Sequence, residues 1–169
     1  FVSVVPQANG SFNVNYSIIV GNNGGATGTY SLKDTPLFDD DVVIISGSYS
    51  GQANGAMNTS GSTTLATNVN LGTGSSHIYN VTFNVRLDLD PSSNQGGNNV
   101  YTKCAVSGNG PGSGPNQGLF NLAEVDRTGD GITDLTDDAC GDIPNITLVK
   151  DFVSVVPQAN GSFNVNYSI

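Results

Sequence analysis

The sequence predicts an all-β fold, an antiparallel β-sandwich, and three observations support this prediction. Glycine and other small polar residues dominate the chain, with 22 glycines and only 11% charged residues, a composition that disfavours helices. Apolar residues alternate with polar ones in many short runs, which is the pattern of half-buried strands. Turn residues separate these runs at intervals of about 10 to 15 residues, as they do in sandwich folds.

The first predicted element is a hairpin. Two alternating runs, Phe1–Val5 and Ser11–Val20, flank the dipeptide Asn9-Gly10, which accepts the positive φ of a tight turn. Five apolar side chains of the second run are predicted to share one face: Phe12, Val14, Tyr16, Ile18 and Val20.

The strongest strand prediction is Tyr79–Asp90, in which apolar and polar residues alternate without a break. Its predicted core face consists of Tyr79, Val81, Phe83, Val85, Leu87 and Leu89. Further strands are predicted near Thr27–Lys33, Val42–Ser50, Thr63–Val69, Asn99–Ser107 and Leu119–Val125, with an edge strand or loop at Gln52–Gly61. About eight such strands favour an immunoglobulin-like sandwich, with the strand order left open.

An internal repeat organises the chain. Phe1–Ile18 returns without a change as Phe152–Ile169, and a long fixed period is typical of a tandem array. An accidental duplication at the C-terminus is the alternative. We therefore predict two units, residues 1–145 as one sandwich repeat lacking its first half-strand and residues 146–169 as the start of the next identical repeat.

The residues at the junction predict how neighbouring units meet. Ile146–Asp151 alternates and runs into Phe152 without linker composition, so we expect one continuous strand there. Each unit is expected to own its strands like beads on a string, because consecutive strands usually pair locally. The alternative is strand addition, in which one unit's leading strand completes its neighbour's sheet.

Charge and hydropathy exclude two classes of partner. The formal net charge is −9, from 14 acidic and 5 basic residues, so no basic stripe is available to neutralise nucleic-acid phosphates. No run reaches the roughly 18 apolar residues of a membrane-spanning helix, so no membrane span is predicted. We expect an extracellular, cell-surface protein.

The two cysteines, Cys104 and Cys140, are predicted to form a disulfide, as an even count in an extracellular chain favours. Closing a loop of roughly 37 residues corresponds to about 4 kcal/mol in the chain-entropy account. Two free thiols in a reducing compartment are the alternative.

An acidic segment near the end of the first unit has the spacing of a calcium loop. Gly131 stands at position six, where calcium loops make a sharp turn, and oxygen ligands fall at positions 1, 3, 5, 7, 9 and 12. The predicted ligands are Asp126, Thr128, Asp130, Ile132 through its carbonyl, Asp134 and Asp137. The segment resembles dockerin and thrombospondin type-3 calcium loops, although position 12 is Asp instead of Glu. A solvated acidic turn is the alternative.

Other chemistry-bearing residues are sparse. A second cation site could form if the loops carrying five acids meet, although a solvated edge is favoured. Those acids are Asp39, Asp40, Asp41, Asp88 and Asp90. His77 is the only histidine and Glu124 the only glutamate, and neither has the neighbours of a catalytic triad or a glycosidase pair. We therefore predict that the protein is not an enzyme.

Four short motifs resemble a bacterial conserved-repeat domain of unknown function. They are Ile146–Lys150, Asn13–Gly24, Asp34–Pro36 and Asn121–Val125, and together they extend over most of one period. The resemblance implies an immunoglobulin-like fold and a place in very long secreted, adhesin-like surface proteins of the Bacteroidota type. The acidic insertion after Val125 departs from the shorter members.

These observations predict a structural repeat of a secreted cell-surface filament or adhesin stalk, stiffened by calcium and a disulfide. Its expected partners are adjacent identical repeats. The alternative is a lectin-like sandwich that binds surface glycans.

A covalent crosslink is a further hypothesis, because surface immunoglobulin-like domains of other families join a first-strand lysine to a last-strand asparagine beside an acid. Lys150, Asn121 and Asp34 occupy comparable positions in this sequence.

Overall fold

The computed structural model describes residues 1–89, 101, 104 and 117–169. These residues contain eleven strands and no helix. The strands are β1 Ser3–Pro6, β2 Phe12–Gly21, β3 Gly28–Pro36, β4 Val42–Gly51, β5 Gly55–Ala56, β6 Thr63–Leu71, β7 Ser76–Leu87, β8 Asn121–Asp126, β9 Leu135–Ala139, β10 Asp151–Pro157 and β11 Phe163–Ser168.

Two antiparallel sheets form the sandwich, which confirms the predicted fold class. One sheet has the order β1-β2-β7-β4-β5 and the other has the order β6-β3-β8-β9. β4 and β5 belong to the first sheet and β6 to the second, so the chain passes between the sheets at β3–β4, β5–β6 and β6–β7.

Side chains from both sheets fill one core. The inward residues of β2 and β7 alternate as predicted, with Val14 and Tyr16 buried while Ser17 and Ile19 are exposed. Opposite them lie apolar residues of β3 and β6. The core includes Val14, Tyr16, Tyr30, Leu32, Leu65, Leu71, Tyr79, Val81, Phe83 and Val85.

The hairpin β1–β2 folds a second time as β10–β11, a separate two-stranded sheet. The register is the same in both copies, since Ser3 pairs with Asn15 as Ser154 pairs with Asn166. The burial differs, because Val14 is 0% exposed in the first copy and its counterpart Val165 is 48% exposed. The repeated segment therefore adopts one local structure with and without a sandwich around it.

The structure corrects two strand predictions. Ile146–Lys150 was expected to continue the strand at Phe152, but strand β10 begins only at Asp151. Among the described residues, no strand lies beside Ile146–Lys150 to supply backbone hydrogen bonds, since β11, the partner of β10, ends at Ser168. β9 was missed altogether, because its acidic sequence was assigned to a loop.

Other boundaries differ by a few residues. β3 extends to Pro36, beyond the predicted end, and the weakly patterned Gln52–Gly61 contributes only the two residues of β5. The strand predicted at Asn99–Ser107 lies mostly outside the described residues. In the described part of the chain, no helix is long and apolar enough to cross a membrane.

Candidate functional site

An open cleft lies beside β2. β1 pairs with residues 12–15 of β2 only, so Tyr16–Gly21 has no neighbour on that edge of the sheet. β9 is the facing edge strand of the other sheet. A cavity of about 620 Å³ lies between the two edges. Sequence analysis did not predict this cavity.

The cleft has an apolar and a polar part. Ile18, Val20, Tyr30 and Leu71 supply apolar surface, and all four belong to the core or pack against it. The polar lining includes Asp34, Asn121, Asp137 and Asp138, together with Arg127. The cleft thus offers apolar surface for side chains of a strand and negative charge for a cation.

Asp34 and Asn121 form a buried pair in the polar part. Asp34 is 0% exposed and Asn121 is 4% exposed. The Asn121 amide nitrogen donates hydrogen bonds to both Asp34 carboxylate oxygens, at 3.0 and 3.2 Å. The Asn121 carbonyl oxygen, by contrast, has no hydrogen-bond partner within the described part of the structure. A buried oxygen without a donor costs free energy, so the pair is incomplete as it stands.

Burial controls the protonation of this pair. It raises the pKa of Asp34 to about 7, although the hydrogen bond from Asn121 acts in the opposite direction. Burial also raises the pKa of the Tyr16 hydroxyl, with the nearby Asp34 charge as the second cause. Asp34 is therefore an acid that gains and loses its proton near neutral pH, beside the Tyr16 side chain.

Lys150, the third predicted crosslink residue, lies in the exposed second hairpin. Its ammonium nitrogen is 4.5 Å from the centroid of the Tyr167 ring. Tyr167 is the counterpart of Tyr16 in the repeat. The structure thus brings Asp34 and Asn121 together and places Lys150 against the second copy of the tyrosine that lies beside them.

The predicted calcium loop forms the tip of the β8–β9 hairpin. The Asp126 carboxylate accepts backbone hydrogen bonds from Thr128 at 2.9 Å, Gly129 at 2.7 Å and Gly131 at 2.9 Å. These bonds lower the pKa of Asp126, and the bond from Gly129 has the largest effect. Gly131 has φ of +83°, a conformation that glycine adopts without strain.

The remaining predicted ligands are spread along the hairpin. Asp130 accepts a hydrogen bond from the backbone nitrogen of Ile132 at 2.8 Å, and Asp134 accepts one from Arg127 at 2.7 Å. Asp137 lies on β9, where it pairs with Ala123 of β8. Ala123 precedes Asp126 by three residues, which is roughly 10 Å along a strand. The structure places five of the six predicted ligand residues in the loop and Asp137 in the lining of the cleft.

A second acidic group lies at the start of β4. Carboxylate oxygens of Asp39, Asp40 and Asp41 lie within 4.8 Å of one another, the one such cluster of acids, histidines and cysteines among the described residues. The Asp88 backbone nitrogen donates to the Asp41 carbonyl at 2.9 Å, so the two predicted loops meet. Asp90 lies outside the described residues.

The disulfide between Cys104 and Cys140 is present, as predicted, with Cα atoms 5.8 Å apart. Cys140 directly follows β9 and is fully buried, next to Phe120. The bond therefore ties the end of the last strand of the first unit to the segment that precedes β8.

Sequence analysis missed one polar network in the core. The Tyr30 hydroxyl lies 2.8 Å from His77 Nδ1 and 2.7 Å from the Tyr79 hydroxyl, which connects β3 to β7 across the two sheets. Burial raises the pKa of Tyr30, and the hydrogen bond to Tyr79 adds to this effect. The partners are 47 and 49 residues apart, and no local motif indicates such a contact.

Comparisons with protein-family models, curated proteins and solved structures find no match for this chain.

Proposed function

We propose that this chain is a structural repeat of an extracellular filament or adhesin stalk, in which identical units follow one another and each receives the end of the unit before it. The observation that carries the proposal is that the chain contains both a repeated hairpin and an open cleft. The residues that precede the second hairpin, Ile146–Asp151, are named here the connecting segment. In an array, the same segment of the preceding unit leads into Phe1.

The position of Phe1 supports this arrangement. The Phe1 ring packs edge-on against Tyr16 with centroids 5.8 Å apart, and Phe1 itself lines the cleft. Phe152 and Tyr167 make the same contact in the second hairpin, at 6.1 Å. A segment leading into Phe1 therefore starts beside the unpaired edge of β2, at Tyr16–Gly21, where it can add a strand.

The side chains of the connecting segment match the cleft. Ile146, Leu148 and Lys150 alternate with Thr147, Val149 and Asp151, so a strand places the first three on one face. Lys150 lies over the Tyr167 ring, which supports directing this face toward the core in a complete unit. Isoleucine and leucine then cover the apolar surface, and lysine reaches the acidic part.

The environment of the filament is inferred from the disulfide and the composition. A disulfide is stable in oxidising compartments and rare in the cytosol, so an extracellular location is favoured. Charged residues make up 11% of the chain and acids dominate them, as suits an exposed acidic polymer. The proposed partners are the adjacent identical repeats.

Calcium is proposed as a stiffening ligand of the β8–β9 hairpin tip. Backbone N–H groups hold the Asp126 carboxylate at the centre of the loop, and Asp130 and Asp134 lie in the same turn. Carboxylate and carbonyl oxygens are the ligands that calcium prefers, and extracellular calcium modules have Kd values on the order of 10⁻⁴ to 10⁻³ M. The ion would supply charge neutralisation to an acidic hairpin.

The filament proposal is tested by completing the unit. A chain with a copy of Ile146–Asp151 placed before Phe1 is compared with the original chain in urea unfolding. Burial of the added isoleucine and leucine is expected to raise the free energy of unfolding by about 4 kcal/mol. The matched control carries serine at both positions of the copy and is expected to gain little. An unchanged unfolding midpoint in the extended chain contradicts the proposal.

The calcium proposal is tested by calorimetric titration of chelator-treated protein and by thermal unfolding. At 100 times Kd, calcium is expected to stabilise the chain by about 2.7 kcal/mol, a rise of several degrees in Tm. Asp126→Ala is expected to abolish the heat and the rise, whereas Asp151→Ala, outside the loop, keeps both. If calcium added to the unmodified chain produces neither a heat of binding nor a rise in Tm, the proposal is wrong.

A further inference from the structure

We propose that the connecting segment of the preceding repeat is fixed covalently in the cleft, by an isopeptide bond from its lysine to the side chain of Asn121, with Asp34 transferring the proton. The lysine is the counterpart of Lys150 and belongs to the preceding period. The inference rests on the proposed function, because it needs a preceding repeat to supply this lysine.

The acceptor side of the reaction is already assembled. Asn121 and Asp34 are buried together, and the Asn121 amide nitrogen lies 3.0 and 3.2 Å from the two Asp34 oxygens. This nitrogen is the atom that leaves when the new bond forms. The Asn121 carbonyl oxygen lacks a hydrogen-bond partner among the described residues, so it can still accept a hydrogen bond from an incoming donor. Both side chains are buried and belong to the lining of the cleft.

The second hairpin indicates where the lysine lies. Lys150 directs its ammonium over the Tyr167 ring at 4.5 Å from the centroid, and Tyr167 is the counterpart of Tyr16. Tyr16 lines the cleft together with Asp34 and Asn121. A lysine held over Tyr16 in the same way therefore enters the polar part of the cleft, next to the buried pair. The negative charge of Asp34, Asp137 and Asp138 favours its entry.

The chemistry balances without a cofactor. The neutral lysine amine attacks the Asn121 side-chain carbonyl carbon, and a carbon–nitrogen bond forms while the bond to the amide nitrogen breaks. Asp34 accepts a proton from the lysine nitrogen and donates one to the departing nitrogen, which leaves as ammonia. Nothing is oxidised or reduced.

Burial favours both protonation states that the reaction needs. Burial raises the pKa of Asp34 to about 7, so that it is able both to accept and to donate a proton near neutral pH. A lysine enclosed by a filled cleft loses water, and desolvation favours its neutral, nucleophilic form. Tyr16, Phe1 and Ala139 supply apolar walls at this end.

The test is the intact mass of the extended chain, with a copy of Ile146–Asp151 before Phe1. We expect a mass lower than the calculated value by one ammonia, and fragmentation that finds the added lysine joined to Asn121. Asp34→Asn and a lysine-to-arginine change in the added copy are expected to restore the full mass. Asn80→Ser, at an exposed asparagine, is the matched control and is expected to keep the loss.

The outcomes separate the crosslink from the proposed function. An extended chain that is stabilised against urea but keeps its full mass overturns the crosslink and leaves the structural repeat intact. The arginine variant measures docking alone, because it fills the cleft without a nucleophile. An extended chain without any gain in stability overturns the proposed function itself. Loss of ammonia that maps to another asparagine also overturns the crosslink at Asn121.

Discussion

At the scale of residues, the buried Asp34 is the most informative side chain of the unit. An isolated buried carboxylate is costly, and its cost depends on whether it is charged. Among the described residues, Asn121 donates hydrogen bonds to it, Tyr16 lies nearby and Asp137 lines the same cleft. No basic side chain within the described residues forms a salt bridge with Asp34.

Asp34 is expected to make the unmodified chain more stable at acidic than at alkaline pH. Its pKa in the folded protein, about 7, exceeds the ordinary value of 3.8. Its contribution to the free energy of unfolding is therefore complete below pH 3.8 and is lost as the pH rises through 7. A shift of about three units corresponds to at most about 4 kcal/mol. Urea unfolding at several pH values is expected to show this slope in the original chain and not in Asp34→Asn. Asp40→Asn, at an exposed acid, serves as the control, and equal slopes in both variants contradict the assignment.

Sequence patterns indicated the chemistry of individual residues but not which of them lie together in the folded protein. The disulfide followed from counting cysteines, and Asp34 and Asn121 were selected by their motifs. The contact of Tyr30 with His77 and Tyr79 depends on how β3 crosses β7, which no local pattern encodes. Asp137 fits the calcium spacing by position, yet its strand register places it in the cleft.

At the scale of elements, alternation predicted the strands with long periodic runs and failed for short acidic ones. β2 and β7 have clear apolar faces, so their strands were recognised. β9 reads Leu-Thr-Asp-Asp-Ala and lacks an apolar face, and it is a strand because β8 supplies backbone partners. Conversely, Ile146–Lys150 has a strand pattern and no partner. In both segments, the presence or absence of a neighbouring strand determined whether a strand formed, and such pairing is not encoded locally.

The end of β4 provides a test at this scale. Gly51 has φ of +120° and pairs with Tyr79, and a Cβ at this position would collide with the Ile78 carbonyl oxygen. Gly51→Ala is expected to lower the free energy of unfolding by about 2 kcal/mol or more, through strain and loss of this pairing. Gly25→Ala is the control, because a Cβ there meets no atom within 4 Å. Similar unfolding midpoints for the two variants contradict this account.

At the scale of the whole molecule, the packing changes between Ile143 and β10. Ile143 is a core residue, whereas residues 144–150 are exposed and β10 pairs only with β11. The second hairpin exposes apolar side chains that its first copy buries, including Phe163, Val165 and Tyr167. Such a hairpin is marginal in water on its own.

Removal of Phe152–Ile169 is therefore expected to leave the sandwich as stable as before, within about 0.5 kcal/mol in urea unfolding. It is also expected to reduce self-association in sedimentation experiments, because an exposed apolar surface is removed. Phe163→Ser combined with Val165→Ser keeps the chain length and is expected to reduce association in the same way. A loss of more than about 1 kcal/mol on truncation contradicts the independence of the hairpin.

In the proposed array, the hairpin that keeps one register in two settings affects how identical neighbours avoid mispairing during synthesis. Adjacent domains of the same sequence are prone to exchange strands while they fold. Hairpins close within about 1 to 10 microseconds, whereas chains grow at about 5 to 20 residues per second. The first two strands of a unit therefore meet each other seconds before their duplicates, 151 residues later, leave the ribosome. Because the strands of one unit are synthesised before their duplicates, each hairpin is expected to form within its own unit.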